Sequence, residues 1–188
     1  MLPLSVSNPS KLNPQSLSDK NPDLSDKKPV LIDTLFDNCG YDFEQVSSVI
    51  DPILTVQKRC QITSLYVQGV ITNQSTFLAT NLNPSQETCL TQRGCNWLLG
   101  SSPNCAIAIP HQEVSRCHAV IGYSNDLGFY ITDVGSDTGT RVNRGLLAPL
   151  ERRALRDGDI VELGKLWIEF FINFCGQFEP QKEDETRY

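Results

Sequence analysis

No uninterrupted apolar run in the chain approaches the ~18 residues of a membrane-spanning helix. The apolar stretch at 166–174 is itself broken by Glu169. The first residues, MLPLSVSNPSKLNPQS, have neither the basic n-region nor the apolar h-region of a secretory signal, so export is not expected. Positive charge is not in excess either. Sixteen Lys and Arg stand against 22 Asp and Glu, a net charge of −6, which argues against general nucleic-acid binding. There is no Cys-x-x-Cys pair, and the only two histidines, His111 and His118, do not sit at zinc-finger spacing from any pair of cysteines, so no metal is expected. No Gly-Lys-Ser/Thr phosphate loop and no Gly-x-Ser-x-Gly elbow is present, so neither a nucleotide cofactor nor an α/β-hydrolase nucleophile is expected.

What is present fits a folded chain with loose ends. Of 188 residues, 39% are hydrophobic, enough for a core. The seven cysteines are odd in number, and without an export signal they read as reduced thiols of a cytoplasmic protein. Cys105 and Cys175 read as small buried hydrophobes. Residues 1–30 are poor in aromatics and rich in Ser, Pro, Asn, Lys and Asp, the composition of a flexible tail. Residues 177–188, charged and Pro-containing, read as a second tail.

Between the tails the pattern changes twice. From 31 to 54 the apolar residues Leu31, Ile32, Leu35, Phe36, Phe43, Val46, Val49, Ile50, Ile53 and Leu54 recur at helical spacing. Asp42 is placed to cap the second helix, and Pro52 to kink or stop it. Residues 62–71 are β-branched and partly alternating, as in a strand. Together 31–72 form a helical and extended accessory segment, expected to lie outside the main domain. From 73 to 176 short runs alternate with turn signals. Strands are expected at 76–82, 87–91, 96–100, 106–109, 118–124, 129–133, 141–143, 159–163 and 166–174. The last is the clearest: Leu166, Ile168, Phe170, Ile172 and Phe174 share one face, and Trp167, Glu169, Phe171 and Asn173 the other. Many short strands with glycine turns mean an antiparallel β-sandwich or barrel. The expected core comprises Cys105, Ile107, Ile109, Ile121, Ile131, Val161, Leu163, Ile168 and Phe170.

Three blocks carry the chemistry. They are Ser115-Arg116-Cys117-His118-Ala119, then Asp133-Val134-Gly135-Ser136-Asp137-Thr138-Gly139-Thr140-Arg141-Val142-Asn143, then Leu155-Arg156-Asp157-Gly158-Asp159-Ile160-Val161-Glu162-Leu163-Gly164. In this order and spacing, and with Gly100 ahead of them, they resemble a forkhead-associated (FHA) domain over about 73–176. The resemblance implies a mainly β, FHA-like sandwich with an N-terminal helical and extended extension, not an enzyme, whose loops bind phosphothreonine peptides. It implies that Ser115 bonds the phosphate, that Arg116 adds a further polar contact, and that His118 braces the loop from within. Gly100 and Gly139 match structural glycines of the family. Two family positions differ here: Ser101 stands where an arginine would meet the phosphate, and Thr138 where an asparagine would grip the peptide backbone. Asp137, just before it, would repel phosphate if it pointed inward.

Two functions remain open on these residues. One is a protein-interaction module, adaptor or signalling, whose protein partner is bound through the loops, with or without threonine phosphorylation. The other is a structural or assembly subunit of a large protein complex, with the sandwich a phosphate-independent scaffold. Other constellations have plainer readings. Ser115, His118 and Asp133 invite a hydrolase triad, but His118 reads better as a structural histidine. Gly135, Gly139 and Gly145 read as turn glycines needing positive φ. Asp157 and Asp159 belong to a hairpin turn, and Arg152, Arg153 and Arg156 to a solvated surface near Arg141 and Arg144.

Overall fold

The computed structural model describes residues 31–83 and 88–175; the two expected tails lie outside the described residues. The alternation at the end of the chain builds the longest strand, β12 (Leu166–Cys175), and the strands that pair around it make the larger of two sheets. Its partners are β1 (Tyr66–Thr72), β2 (Thr76–Thr80), β3 (Cys89–Leu90), β8 (Thr140–Val142), β9 (Gly145–Leu146) and β11 (Asp159–Leu163), in the order β3-β2-β1-β12-β11-β8-β9. The second sheet has the order β10-β7-β6-β4-β5, from β4 (Asn96–Gly100), β5 (Ile107–Ala108), β6 (Ala119–Ser124), β7 (Gly128–Asp133) and β10 (Arg153–Ala154). The molecule is a β-sandwich of the expected class. Both sheets are nevertheless mixed, not purely antiparallel, because β1 runs parallel to β12 and β4 parallel to β5. The sheet also takes in Tyr66–Thr72, a strand that the sequence pattern assigns to the accessory segment.

Facing side chains of the two sheets form the main core. All nine expected core residues are buried, and Phe129 makes edge-on ring contact with Phe170 at 5.6 Å and Tyr123 at 5.1 Å. Two short strands, β9 and β10, are not expected from sequence; at two residues each they are too short to show alternation. Gly145 does not adopt positive φ. The turn before it uses Asn143 (φ 50°) and Arg144 (φ 69°) instead, while Gly135 and Gly139 are left-handed as expected.

The accessory helices are α1 (Leu31–Asn38) and α2 (Phe43–Thr55). Asp42 caps α2 by accepting from the N–H groups of Glu44 (3.0 Å) and Gln45 (3.2 Å). The helix carries Pro52 and passes into a 3₁₀ turn at Val56–Arg59. Leu35, Cys39, Val46, Val49 and Ile53 of this layer pack on Val70, Phe77, Ala79 and Cys175. The helices therefore cover the outer face of the larger sheet. The second face of β12, which alternation assigns to Trp167, Glu169, Phe171 and Asn173, is thus partly covered as well: Phe171 and Glu169 are buried. Glu169 accepts from the N–H groups of Gln61 (2.8 Å), Ile62 (2.6 Å) and Thr63 (2.9 Å), which together outweigh burial and hold its carboxyl below the usual range.

Candidate functional site: the loops at one end of the sandwich

The turn after β4, the loop before β6, the loop between β7 and β8, and the turn after β11 converge at one end. Gly100 closes β4 where a Cβ would collide with the Arg116 carbonyl, so the two loops can lie this close only over glycine. The N–H groups of Ser101 and Ser102 then donate to the carbonyls of Ser115 (3.0 Å) and Arg116 (3.2 Å).

His118 lies beneath this contact with no exposed surface. Its Nδ1 accepts the Ser115 backbone N–H at 3.1 Å, which leaves the proton on Nε2 to be donated to the Gly139 carbonyl at 3.3 Å. Burial holds the imidazole below its ordinary pKa, so it stays neutral and able to accept. The ring thus ties the Ser115 loop to the Gly139 loop, the bracing role implied by the resemblance. Gly139 itself sits at φ 79°.

Asp133 organises the other loop. Its carboxylate accepts from the N–H groups of Gly135 (2.8 Å) and Ser136 (2.9 Å) and from the hydroxyls of Ser136 (2.6 Å) and Thr140 (2.7 Å). Burial pushes its pKa up, but these four bonds prevail and bring it to about 2. Ser115, His118 and Asp133 therefore form no relay. The histidine bonds the serine's backbone rather than its hydroxyl, and the aspartate bonds Ser136 and Thr140 rather than the ring.

The exposed layer is arranged differently. The Ser115 hydroxyl donates to Asp137 Oδ2 at 3.0 Å and accepts the Asp137 N–H at 3.0 Å. The Thr138 hydroxyl donates to the Glu113 carbonyl at 2.9 Å, and Lys165 pairs with the Glu113 carboxylate at 3.0 Å. Arg116 is exposed at the rim and Ser101 half-buried beside it. All the sequence-derived site residues (Gly100, Ser101, Ser115, Arg116, His118, Asp137, Thr138 and Gly139) thus come together in one loop cluster. Glu113 and Lys165 are additions that the sequence does not signal; neither lies in a motif, and only the chain's fold brings them beside Thr138. The basic run stays outside the cluster: Arg153 bonds Glu151 at 2.6 Å and Arg152 lies over the Tyr130 ring at 5.0 Å.

A rigid sandwich that presents braced loops at one end, with a serine and an arginine at their rim, is the architecture of a peptide-reading interaction module. Residues 97–164 match the FHA domain family model, and the chain carries an FHA domain. Similar proteins include an uncharacterized protein of Caenorhabditis elegans, 29% identical over 92 residues covering 46% of this chain and 12% of the relative. Protein FraH of Nostoc sp. is 50% identical over 52 residues, covering 28% of this chain and 18% of FraH. Among solved structures, the FHA domain of the CT664 protein from Chlamydia trachomatis is 27% identical, with a TM-score of 0.37, covering 44% of this chain and 84% of that one. The chain thus spans less than a fifth of either curated relative's own length. The family match begins at Trp97, so β1, β2, β3 and the helical layer lie ahead of it.

Proposed function

We propose that this chain is a non-catalytic protein-interaction module that grips a partner protein through the loop cluster around Ser115, and that phosphate contributes little to the grip. One observation carries this reading: the Ser115 hydroxyl is already bonded in both directions to Asp137, so a carboxylate of the chain itself stands where the resemblance places a phosphate. The positions of Ser101 and Thr138 add to it. Neither supplies a guanidinium or an amide, and the Thr138 hydroxyl is turned back to Glu113. A hydrogen bond to a charged group is worth about 1.5–3 kcal/mol, so an absent arginine alone weakens phosphate binding substantially.

Calorimetric titration of the full chain with matched phosphothreonine and threonine peptides tests the reading. The parent is expected to bind phosphothreonine peptides in the high micromolar range or weaker, about −5 kcal/mol. The double variant Ser101→Arg, Thr138→Asn is expected to gain about 2–4 kcal/mol for the phosphorylated peptide alone, because the guanidinium fork meets phosphate and the amide meets peptide backbone. Tight phospho-dependent binding by the parent would overturn the reading. No gain in the double variant would mean that the loops form no phosphate pocket.

A second reading, an assembly subunit of a larger complex, is favoured by a separate observation. The helical layer leaves Tyr41 and Phe43 each 74% exposed, both in ring contact with Phe36 at 6.2 Å. In that reading the helices, and not the loops, meet the partner.

A further inference from the structure

We propose that Cys105 and Cys117 form a redox modification site, a dithiol that a small-molecule disulfide of the glutathione class oxidises to a disulfide fastening the turn after β4 to the Ser115 loop. The geometry begins with Cys105, whose N–H donates to the Ser102 carbonyl at 3.1 Å and whose thiol donates to the Arg116 carbonyl at 3.3 Å. That carbonyl belongs to the peptide bond leading into Cys117, so the Cys105 sulfur is held against the backbone of its partner. The Cys117 thiol is near enough to the Cys105 thiol to add to the rise in its pKa.

The pair is also asymmetric in the way a two-step exchange requires. Cys117 is exposed, whereas Cys105 is buried at 9% exposure. Cys105 lines a cavity of about 560 Å³, together with Thr34 and Ala106 among others. Cys39 and Cys175, by contrast, are both sealed in the cluster under the helices.

In the first step the Cys117 thiolate attacks one sulfur of the small-molecule disulfide, forms a mixed disulfide and releases one small thiol. In the second, Cys105 gives its proton to solvent, its thiolate attacks the Cys117 sulfur, the protein disulfide forms and the second small thiol leaves. Two protein thiols are oxidised and one small disulfide is reduced to two thiols. Burial first, and the neighbouring Cys117 second, push the Cys105 thiol above its ordinary pKa, so the second step quickens as pH rises. The site does not depend on what the loops bind. Its oxidised form holds Ser115 and Arg116 against the β4 turn by a covalent bond in place of hydrogen bonds.

The test is a Cys95→Ser variant of the whole 188-residue chain incubated with oxidised glutathione, then alkylated and digested with trypsin. Cleavage after Arg93, Arg116 and Arg141 puts Cys105 and Cys117 on separate peptides. The expected product is one cross-linked pair, lighter by two hydrogens than the sum of its peptides and separated by dithiothreitol. Cys105→Ala in the same background should instead accumulate the glutathione adduct on Cys117. Cys117→Ser, a change at an exposed position, should lose the cross-link. A parent that stops at the Cys117 adduct even as pH is raised would overturn the proposal. So would a cross-link from Cys117 to other cysteines, or the absence of any reaction at Cys117.

Discussion

The inner and outer layers of the loop cluster differ in where their polar groups find partners. In the inner layer each group is bonded to framework. His118 bonds Ser115 and Gly139 through its two ring nitrogens, and Asp133 takes four donors from its own loop and Thr140. In the outer layer the groups bond each other across loops in the open: Ser115 with Asp137, and Thr138 with Glu113. The inner layer shapes the loops whatever they bind, and under the proposed function the outer layer sets what they can bind. The bracing residues that the resemblance implies are kept here together with a changed outer layer, so bracing and recognition can be tested separately. Substitutions in each layer should then differ in kind.

The largest expected effect is in the inner layer. Asp133→Ala leaves two hydroxyls and two N–H groups without their acceptor. At about 1–3 kcal/mol for a buried group left unpaired, it should lower stability by about 3 kcal/mol or more in urea unfolding. The acid limb gives an independent check. The Asp133 carboxyl titrates near 2 in the fold, below the ordinary ~3.9, so its contribution is complete above pH ~4 and is lost as pH falls towards 2. That step is worth about 1–2 kcal/mol once solvent screening at the sheet's end is allowed for, and it should be missing from the variant.

His118→Ala comes next, with an expected loss of about 1–3 kcal/mol, the same with or without peptide. Its pH signature has the sign of a depressed histidine. The folded state disfavours the proton, so the contribution is full above the ordinary ~6.5 and declines as pH falls below it. Unfolding followed on both sides of that value should show the decline in the parent and not in the variant. A variant as stable as the parent would dissolve the distinction between the layers.

The smallest effect on stability is expected at Asp137. Asp137→Ala should change unfolding by no more than about 0.5 kcal/mol, as for other exposed positions. It should strengthen phosphothreonine-peptide binding by about 1–2 kcal/mol, roughly tenfold, because the Ser115 hydroxyl is released and a negative charge removed. A large stability loss there would show that the outer pair is framework after all, and unchanged peptide binding would show that Asp137 does not guard the serine.

The sandwich is legible where one signal is local and strong. Alternation along 166–174 locates β12, and the spacing of three motif blocks locates Ser115, His118 and Gly139 in one cluster. Alternation cannot say that the second face of β12 is also covered. Glu169 is satisfied by N–H groups more than 100 positions earlier in the chain, a pairing no local pattern reveals. The same limit applies in the site. The sequence places an acid beside the expected phosphate position but does not show that its side chain turns back onto Ser115. Glu113 and Lys165 carry no signal, because only the meeting of the β5–β6 loop with the β11–β12 turn puts them next to Thr138.

The parallel pairing of β1 with β12 also has a mechanical consequence. Tyr66 lies opposite Glu169 at one end of the ladder and Thr72 opposite Cys175 at the other. Tension applied between the start of β1 and the end of β12 therefore pulls the strands past each other along their length. Every rung of the ladder is strained at once, instead of parting one after another as in a hairpin pulled open from its tip. The centre of the larger sheet is built as a shear clamp. It can carry force from the chain ahead of Tyr66 to the chain beyond Cys175 while the loops at the end of the sandwich keep their shape.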